Sequence, residues 1–224
     1  MILGIPIPYT DKKFYLNQNY INWIQNAGYD SVLILPNTPQ KILDLVQGIV
    51  IPGGVDTDPV LFNEANYNSI DCNPSLDLFQ IKMLDYFTEK KIPIFGVCRG
   101  HQLIYRYFKR KFPTDNLLSK MVYLQDIRGH QEKVYAKLVH EVCHFPSGNL
   151  MKVNSLHHQG ILIDSGNAHL ISDLVKIEYF SNHGMEKNVL LVEGLFYKDY
   201  NIRTVQWHPE GINQIELLKE FFIE

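Results

Sequence analysis

The sequence predicts an α/β fold in which a mostly parallel sheet is extended by antiparallel strands. Over the first hundred residues, short apolar runs alternate with amphipathic stretches, which is the pattern of strands joined by crossover helices. From about residue 120, strand-like segments follow one another closely, and the chain of 224 residues ends in a helical pattern. No linker rich in Ser, Gly or Pro and no internal repeat divides the sequence, so we expect a single domain over residues 1–224.

Four βα units are predicted before residue 100. Gly28 ends the first helix, and the Asn73-Pro74 pair starts the third, because Asn caps helices and Pro is tolerated in the first turn. Apolar residues at helical spacing then continue from Leu76 to position 87. The predicted elements are, in order, strand 2–7, helix 17–27, strand 31–35, helix 39–46, strand 48–54, the helix after Asn73 and strand 92–97.

The second half is predicted to form strands and a last helix at 212–222. The basic run YRYFKRKF at 105–112 lies just before Pro113, where cations favour a helix C-terminus. We interpret this run as a solvated helix end rather than as a nucleic-acid patch. The predicted strand segments are KMVYL, EKVYAKLV, NLMKVN, LVKIEYF, VLLVEGLF and IRTVQW.

The composition is that of an ordinary soluble protein. Hydrophobic residues make up 46% of the chain and charged residues 20%, which excludes disorder as the main state. A net charge of -3 gives no field that would draw the molecule to nucleic acid or to an anionic membrane. Three widely spaced cysteines favour a reducing compartment, and residues 1–9 lack a signal-peptide pattern. We therefore expect a cytoplasmic protein with neither nucleic acid nor membrane as a partner.

The strongest local signal is GVCRGHQ at 96–102, between a predicted buried strand and a predicted helix. G-x-C-x-G is the cysteine form of the nucleophile elbow, in which small flanking residues let the backbone pass close to a strained turn. The helix N-terminus that follows favours Cys98 as a thiolate. An isolated G-x-C-x-G is more often a buried cysteine in a turn, but its position after the fourth strand favours the catalytic interpretation.

Two further segments supply the other parts of such a site. QWHPE at 206–210 places His208 and Glu210 just beyond a predicted strand, as a base and an orienting carboxylate for a cysteine nucleophile. IPGGVDTDP at 51–59 contains paired glycines whose backbone N–H groups can form an oxyanion hole, although an ordinary turn also uses such glycines. Strand ends meet at one edge of an α/β sheet, so these segments can come together.

These motifs resemble the class I glutamine amidotransferase-like family, and within it the γ-glutamyl-amide hydrolases of the peptidase C26-like subgroup. The resemblance covers nearly the whole chain and includes NYINWIQNAGY, LILP, PGGVDTDP, IPIFGVCRGHQ, VHEV, VNSLHHQG, VEG and VQWHPEG. It implies a flavodoxin-like three-layer sandwich and a hydrolase that cleaves a γ-glutamyl amide through a thioester. It also implies a small-molecule γ-glutamyl substrate and neither cofactor nor metal. The oligomeric state is left open, a homodimer included.

The resemblance further implies roles for individual residues. Cys98 corresponds to the nucleophile, His208 to the general base and acid, and Glu210 to the orienting carboxylate. The backbone N–H groups of Gly54 and Arg99 correspond to the oxyanion hole. The positions that correspond to the holders of the glutamyl α-amino and α-carboxylate groups are Gln102, Ser155, Leu156 and His157.

Arg99 favours the hydrolases, whose elbow typically reads C-R-G, over glutaminase subunits, in which C-L-G is commoner. Two other interpretations stay open: a glutaminase subunit that passes ammonia to a separate synthetase, and a non-catalytic binding or regulatory protein. The sequence departs from the family at Leu76-Asp77, where an Arg-Asp pair is usual, and over residues 112–120. We therefore expect a rebuilt pocket wall near 112–120 and an unusual amine on the leaving side of the substrate.

A competing motif is HEVCH at 140–144, which satisfies the H-E-x-x-H pattern of zinc metalloproteases. That chemistry needs both histidines one turn apart on a helix. The preceding EKVYAKLV has strand-like alternation, a Pro-Ser-Gly turn follows within two residues, and a third ligand at metzincin spacing is missing. On a strand, His140 and His144 can share a face while Glu141 points the other way. We therefore expect no catalytic zinc site there.

Overall fold

The computed structural model describes residues 1–7, 13–127, 130 and 137–222, and these contain eleven strands and five α-helices. The four βα units predicted before residue 100 are confirmed. The strands are β1 (Ile2–Pro6), β2 (Asp30–Ile34), β3 (Gly48–Ile51), β4 (Ile94–Val97), β5 (Val122–Leu124), β6 (His140–His144), β7 (Leu150–Val153), β8 (Gly160–Asp164), β9 (Val175–Ser181), β10 (Val189–Tyr197) and β11 (Ile202–Val205). The helices are α1 (Gln18–Asn26), α2 (Gln40–Leu43), α3 (Pro74–Glu89), α4 (Arg99–Lys111) and α5 (Ile215–Phe221).

All eleven strands form one sheet with a parallel centre and an antiparallel flank. Strands β2, β1, β3, β4 and β11 are neighbours in this order and run parallel. From β11 the sheet continues antiparallel through β10, β9, β6 and β7, while β8 pairs with β10, and β5 with β8. The order of the parallel strands is that of flavodoxin-like doubly wound sheets. The predicted fold class is therefore confirmed.

Helices cover both faces of the parallel strands, which explains why β1, β3 and β4 are almost wholly apolar. On one face, the Trp23 ring of α1 packs edge-on against Phe95 of β4, and Phe95 packs against Phe221 of α5. On the other face, Leu84 of α3 and Phe108 of α4 are fully buried in the second core cluster. Among the described residues, no helix combines the length and apolar character that crossing a membrane requires.

Two helix ends follow the local chemistry that predicted them. The side chain of Asn73 accepts a hydrogen bond from the backbone N–H of Leu76 at 3.0 Å, and so caps the start of α3. The last turn of α4 carries Lys109, Arg110 and Lys111, as expected for cations near the C-terminal end of a helix dipole. The basic run is thus part of a helix end.

Two strands were not predicted. In β6 an inward position is occupied by the polar His140, which is buried, so the apolar alternation that signals a strand is broken. In β8 only three apolar residues lie between Gly160 and Asp164, too few for a period to be recognised. The strand predicted in EKVYAKLV lies mostly outside the described residues, and its described part, 137–139, is not in a strand.

Candidate active site

Cys98 lies at the turn between β4 and α4 in a strained backbone conformation. Its φ of 49° and ψ of -104° belong to a region that residues with side chains rarely adopt and that is enriched at functional sites. The Cys98 N–H donates to the Val205 carbonyl of β11 at 2.8 Å. The turn also requires Gly100, because a Cβ there would lie 2.3 Å from the carbonyl oxygen of Ile51. The backbone thus has the elbow geometry that the glycine spacing predicts.

The structure brings His208 and Glu210 beside Cys98. His208 Nδ1 lies 2.7 Å from Glu210 Oε1, and the Glu210 side chain is buried. Burial by itself would lower the pKa of His208, but the charges of Cys98 and Glu210 and hydrogen bonds to both raise this pKa well above its ordinary value. A Cβ on Gly53 would lie 2.7 Å from His208 Cε1 and 3.4 Å from Cys98 Cβ. The bare backbone at 53 therefore makes room for the pair.

The backbone of His208 is held on both sides by Asn154, which follows β7 and is fully buried. Asn154 Oδ1 accepts from the His208 N–H at 2.8 Å, and Asn154 Nδ2 donates to the His208 carbonyl at 2.8 Å. Because Nδ1 of His208 is engaged by Glu210, Nε2 is the nitrogen left for Cys98. Asn154 was present in VNSLHHQG, but the sequence alone assigned it no role.

A cavity of about 220 Å³ opens next to Cys98. Three chain segments line it, namely 54–56, 70–71 and 156–159, together with Arg99 and Gln102. It therefore includes Gln102, Leu156 and His157, three of the four residues predicted to hold the glutamyl group. Ser155 is not among the lining residues, because its hydroxyl is buried and donates to the His130 carbonyl at 2.9 Å.

The backbone N–H groups of Gly54 and Arg99 belong to residues that line this cavity. Arg99 is the first residue of α4, so its N–H has no acceptor within the helix. In the described part of the chain, neither this N–H nor that of Gly54 donates to another backbone carbonyl. The neighbouring Gly53 N–H, in contrast, donates to Tyr20 Oη at 2.8 Å. Two available N–H groups near a nucleophile are what an oxyanion hole requires.

The side chain of Arg99 forms a buried ion pair that joins the elbow to its surroundings. Its guanidinium donates to Asp77 and Gln80, both on α3. The other oxygen of Asp77 accepts from the Asp58 N–H at 2.8 Å, in the loop that follows the paired glycines. Asp77 therefore ties α3 both to the start of α4 and to the Gly54 loop.

Asp56 and His158 join the segments that line the cavity. His158 Nε2 lies 2.8 Å from Asp56 Oδ2, which also accepts from the Ile70 N–H at 2.9 Å. The sequence alone assigned no role to either residue. The sequence marks them only by their position inside the motifs PGGVDTDP and VNSLHHQG. These two motifs come into contact only in the folded chain.

Gln102 is held inside the protein rather than pointing freely into the cavity. Its Nε2 donates to the Gln159 carbonyl at 3.1 Å and to Gln206 Oε1 at 3.2 Å. Gln206 Nε2 in turn lies 3.6 Å from Cys98 Sγ. Both amide hydrogens of Gln102 are thus used by the protein, and its carbonyl oxygen accepts from Tyr123 Oη at 3.4 Å.

Residues 112–120 lie away from the cavity, so the expectation of a rebuilt pocket wall there was wrong. Helix α4 begins at Arg99 and runs back along the sheet, which places its end about 20 Å from Cys98. Phe112 stacks on Phe108 with ring centroids 6.1 Å apart, and Leu117 and Leu118 are buried in the core. No residue of 112–120 lines the cavity beside Cys98. The divergent segment therefore packs the far end of α4.

The HEVCH segment forms β6 rather than a helix. His140 is buried and Glu141 is exposed on the opposite face, as expected for a strand. His144 Nδ1 lies 2.8 Å from Ser147 Oγ in the following turn. The arrangement that a zinc metalloprotease needs is therefore not formed by this segment.

Comparisons with known proteins point to one family. The model of the peptidase C26 family matches residues 8–210. A putative glutamine amidotransferase-like protein of Lactococcus lactis, YvdE, is 32% identical over 209 residues, which cover 89% of this chain and 82% of that protein. The γ-glutamyl-γ-aminobutyrate hydrolase PuuD of Escherichia coli is 28% identical over 218 residues, which cover 87% of this chain and 78% of that protein.

Solved structures show the same fold at low sequence identity. A putative GMP synthase subunit from Thermoplasma acidophilum aligns with a TM-score of 0.56 and 16% identity, over 100% of this chain and 97% of that one. The glutaminase domain of Trypanosoma brucei CTPS, with bound acivicin, aligns with a TM-score of 0.56 and 12% identity, over 98% of this chain and 92% of that one. These similarities establish a fold of the class I glutamine amidotransferase type.

Proposed function

Because the chain belongs to the peptidase C26 family, we propose that it is a cysteine hydrolase of γ-glutamyl amide bonds. The single observation that carries the proposal is the constellation at the elbow. Cys98 has a strained backbone and hydrogen-bonds to His208, and His208 is oriented by Glu210 at 2.7 Å. Nucleophile, base and orienting carboxylate at this spacing are the parts that covalent catalysis needs.

In the proposed reaction, Cys98 Sγ attacks the γ-carbonyl carbon of the substrate and forms a tetrahedral intermediate. The backbone N–H groups of Gly54 and Arg99 donate to its oxyanion, and each such donor is typically worth about 3 kcal/mol of barrier. His208 gives its proton to the leaving amine, and the C–N bond breaks to leave a γ-glutamyl thioester. His208 then takes a proton from water, which attacks the thioester and releases glutamate.

The electrostatics support this division of roles. Burial opposes the charged form of His208, but Cys98 and Glu210 raise its pKa well above the ordinary value, which favours an imidazolium at neutral pH. An imidazolium has the proton that the leaving amine needs, whereas a neutral ring would have to acquire it first. Glu210 fixes the ring so that Nε2 faces the reaction.

The size and charge of the cavity support a small group that carries an ammonium as the enclosed part of the substrate. A volume of about 220 Å³ is smaller than a usual drug-sized site, so it suits a glutamyl group with the amine half directed outwards. Asp56 and Asp71 line the cavity, and their carboxylates suit an α-ammonium group. Ile70, which is 59% exposed, lies at the rim and is a candidate contact for the amine half.

The amidotransferase-like relative at 32% identity favours a second candidate, a glutaminase subunit that delivers ammonia to a separate synthetase. The two functions share every step of the chemistry on Cys98. They differ in the substrate that the isolated chain turns over, because a glutaminase of this kind hydrolyses free glutamine and is accelerated by its partner.

A screen of γ-glutamyl amides, with free glutamine included, tests the proposal. We expect glutamate release from one or more γ-glutamyl amines and a γ-glutamyl adduct on Cys98 by mass spectrometry of the quenched protein. Turnover of glutamine alone would favour the glutaminase. Turnover without any adduct on Cys98, or equal turnover by a folded Cys98→Ala variant, would contradict covalent catalysis.

A further inference from the structure

A buried cluster of histidines and one glutamate adjoins the wall of the candidate active site. One nitrogen each of His130 and His140 and one carboxylate oxygen of Glu193 lie within 4.8 Å of one another, and all three residues are buried. The His130 ring centroid lies 5.3 Å from that of His140 and 4.9 Å from that of His157, which lines the cavity. Imidazoles bound to one tetrahedral ion at about 2 Å have centroids about 5 Å apart, so this spacing suits a shared ion.

Hydrogen bonds to backbone carbonyls indicate which ring nitrogen of His130 and of His157 carries the proton. The other nitrogen of each neutral ring then carries a lone pair. His130 Nε2 lies 2.8 Å from the His183 carbonyl, and His157 Nδ1 lies 2.8 Å from the Gln159 carbonyl. A carbonyl only accepts, so in the neutral rings His130 Nδ1 and His157 Nε2 carry lone pairs. Ser155 Oγ, 3.4 Å from His130 Nδ1, gives its proton to the His130 carbonyl instead. This is the backbone support that metal-binding histidines usually have.

His140 and Glu193 complete the cluster. His140 Nε2 lies 2.7 Å from Glu193 Oε1, which also accepts from Ser181 Oγ at 2.9 Å. Within the described chain, the buried atoms His140 Nδ1, His157 Nε2 and Glu193 Oε2 have no hydrogen-bond partner. Three side chains in and beside the cluster thus each keep a buried polar atom without a protein partner.

The negative charge of the buried Glu193 carboxylate also favours a cation in the cluster. The Glu193 side chain is 0% exposed, so its carboxylate is shielded from water. In the described part of the chain, His140 is the only ion-pair partner of this fully buried carboxylate. Buried carboxylates are normally paired with a cation or coordinate a metal.

We propose that His130, His140 and Glu193 bind a divalent ion of the zinc class, with His157 in reach of the fourth position. Imidazole nitrogens with a carboxylate oxygen are a ligand set that Zn²⁺ prefers. The ion would join β6, β10 and the loop before β8, and so hold the cavity wall at 156–159. It takes no part in the chemistry on Cys98, and the inference does not depend on the proposed function. It revises the expectation of no metal, which the family resemblance implied.

Zinc titration of the purified, chelator-treated full chain by calorimetry, with metal analysis after dialysis, tests this proposal. We expect one equivalent of Zn²⁺ and a rise in Tm of roughly 5 °C or more at zinc well above Kd, because the ion binds only the folded chain. His130→Ala and His140→Ala should lose the bound zinc. His144→Ala is the matched control, since it removes the other histidine of HEVCH and should leave zinc binding unchanged.

Two further measurements keep the outcome decisive. Cys98→Ala should retain zinc, and Co²⁺ in the folded wild-type chain should give visible bands of a tetrahedral site without a thiolate charge-transfer band. The cobalt spectrum needs no variant, so it stands even where His140→Ala fails to fold. Absence of zinc binding by the folded wild type, equal binding by a folded His130→Ala, or loss of zinc in Cys98→Ala would each overturn the proposal.

Discussion

At Cys98 the strain of the backbone and the position of the side chain have the same cause. A positive φ turns the chain sharply from β4 into α4, and it leaves the thiol at the cavity while the backbone is tied to β11. The strain is tolerated because the glycines at 96 and 100 allow the helix to approach the sheet closely. The Cys98 backbone is thus held by packing rather than by its own conformational preference.

Replacing Cys98 with Ala should abolish hydrolysis and leave the fold intact. Among the described residues, Cys98 is the only cysteine that lines the cavity, so we expect kcat/KM to fall by about four orders of magnitude or more. Cys143→Ala is the matched control, because Cys143 lies on β6 outside the cavity and should be neutral. Glutamate release and circular dichroism of both variants check this. A large loss of activity in Cys143→Ala would contradict the assignment.

Asn154 is expected to act as a positioning residue for His208. Removing the two hydrogen bonds between Asn154 and the His208 backbone in Asn154→Ala frees that backbone on two sides. We expect kcat to fall by roughly 10- to 100-fold with little change in KM, since misplacing a catalytic group affects the transition state more than binding. Steady-state kinetics beside Asn149→Ala, an exposed residue of the same hairpin, measure this. An effect confined to KM or to Tm would indicate a purely structural role.

At the scale of elements, the site residues lie at the ends of three strands, and α3 contacts two of the segments that contain them. β3 leads to Gly54, β4 to Cys98 and β11 to His208, all at the carboxyl edge of the parallel strands. The Asp77 carboxylate of α3 then links α4 to the loop after β3 through Arg99 and a backbone N–H. Removing one partner of such a buried pair typically costs about 3–5 kcal/mol, so this brace contributes to both stability and alignment.

The amine preference of the enzyme should depend on the loop at 70–71 and not on 112–120. Ile70→Ala changes the rim of the cavity, and we expect it to alter the ratio of kcat/KM between two amines by up to about 10-fold, as for an apolar contact. Phe112→Ala should lower Tm and leave that ratio unchanged, because Phe112 packs against Phe108. Competition between two γ-glutamyl amines measures the ratio directly. A changed ratio in Phe112→Ala would contradict the location of the amine half.

Over the whole molecule, the parallel half was predictable because each βα unit is a local pattern of apolar spacing, caps and turns. The order of the antiparallel strands was not, since the pairing of β6 with β9 and of β8 with β10 has no local signal. Cys98, His208 and Glu210 could be proposed because each lies in a short motif. Asn154, Asp56 and the histidine cluster could not, because their partners are distant in the sequence and meet only in the fold.

Buried neutral histidines should make the molecule sensitive to acid. His101 is fully buried, with Nδ1 2.7 Å from Thr204 Oγ1 and Nε2 3.2 Å from the Val192 carbonyl. Burial lowers the pKa of His101 to about 4. The unfolded chain binds this proton near pH 6.5 and the folded chain only near pH 4, so stability is full above the unfolded pKa and is lost as pH falls between these values. At about 1.4 kcal/mol per pH unit, the titration of His101 should lower the free energy of unfolding by about 2 kcal/mol at pH 5.

Urea unfolding at pH 7 and pH 5, in the presence of a chelator, measures this loss without a contribution from bound metal. His101→Gln should flatten the dependence by about 2 kcal/mol, whereas His169→Gln, at an exposed position, should leave it unchanged. Ring resonances of His101 in labelled wild-type protein report the same titration where the variant folds poorly. They should show a neutral ring down to about pH 5, and a ring already protonated at pH 6 would contradict the burial argument, because a solvated histidine titrates there.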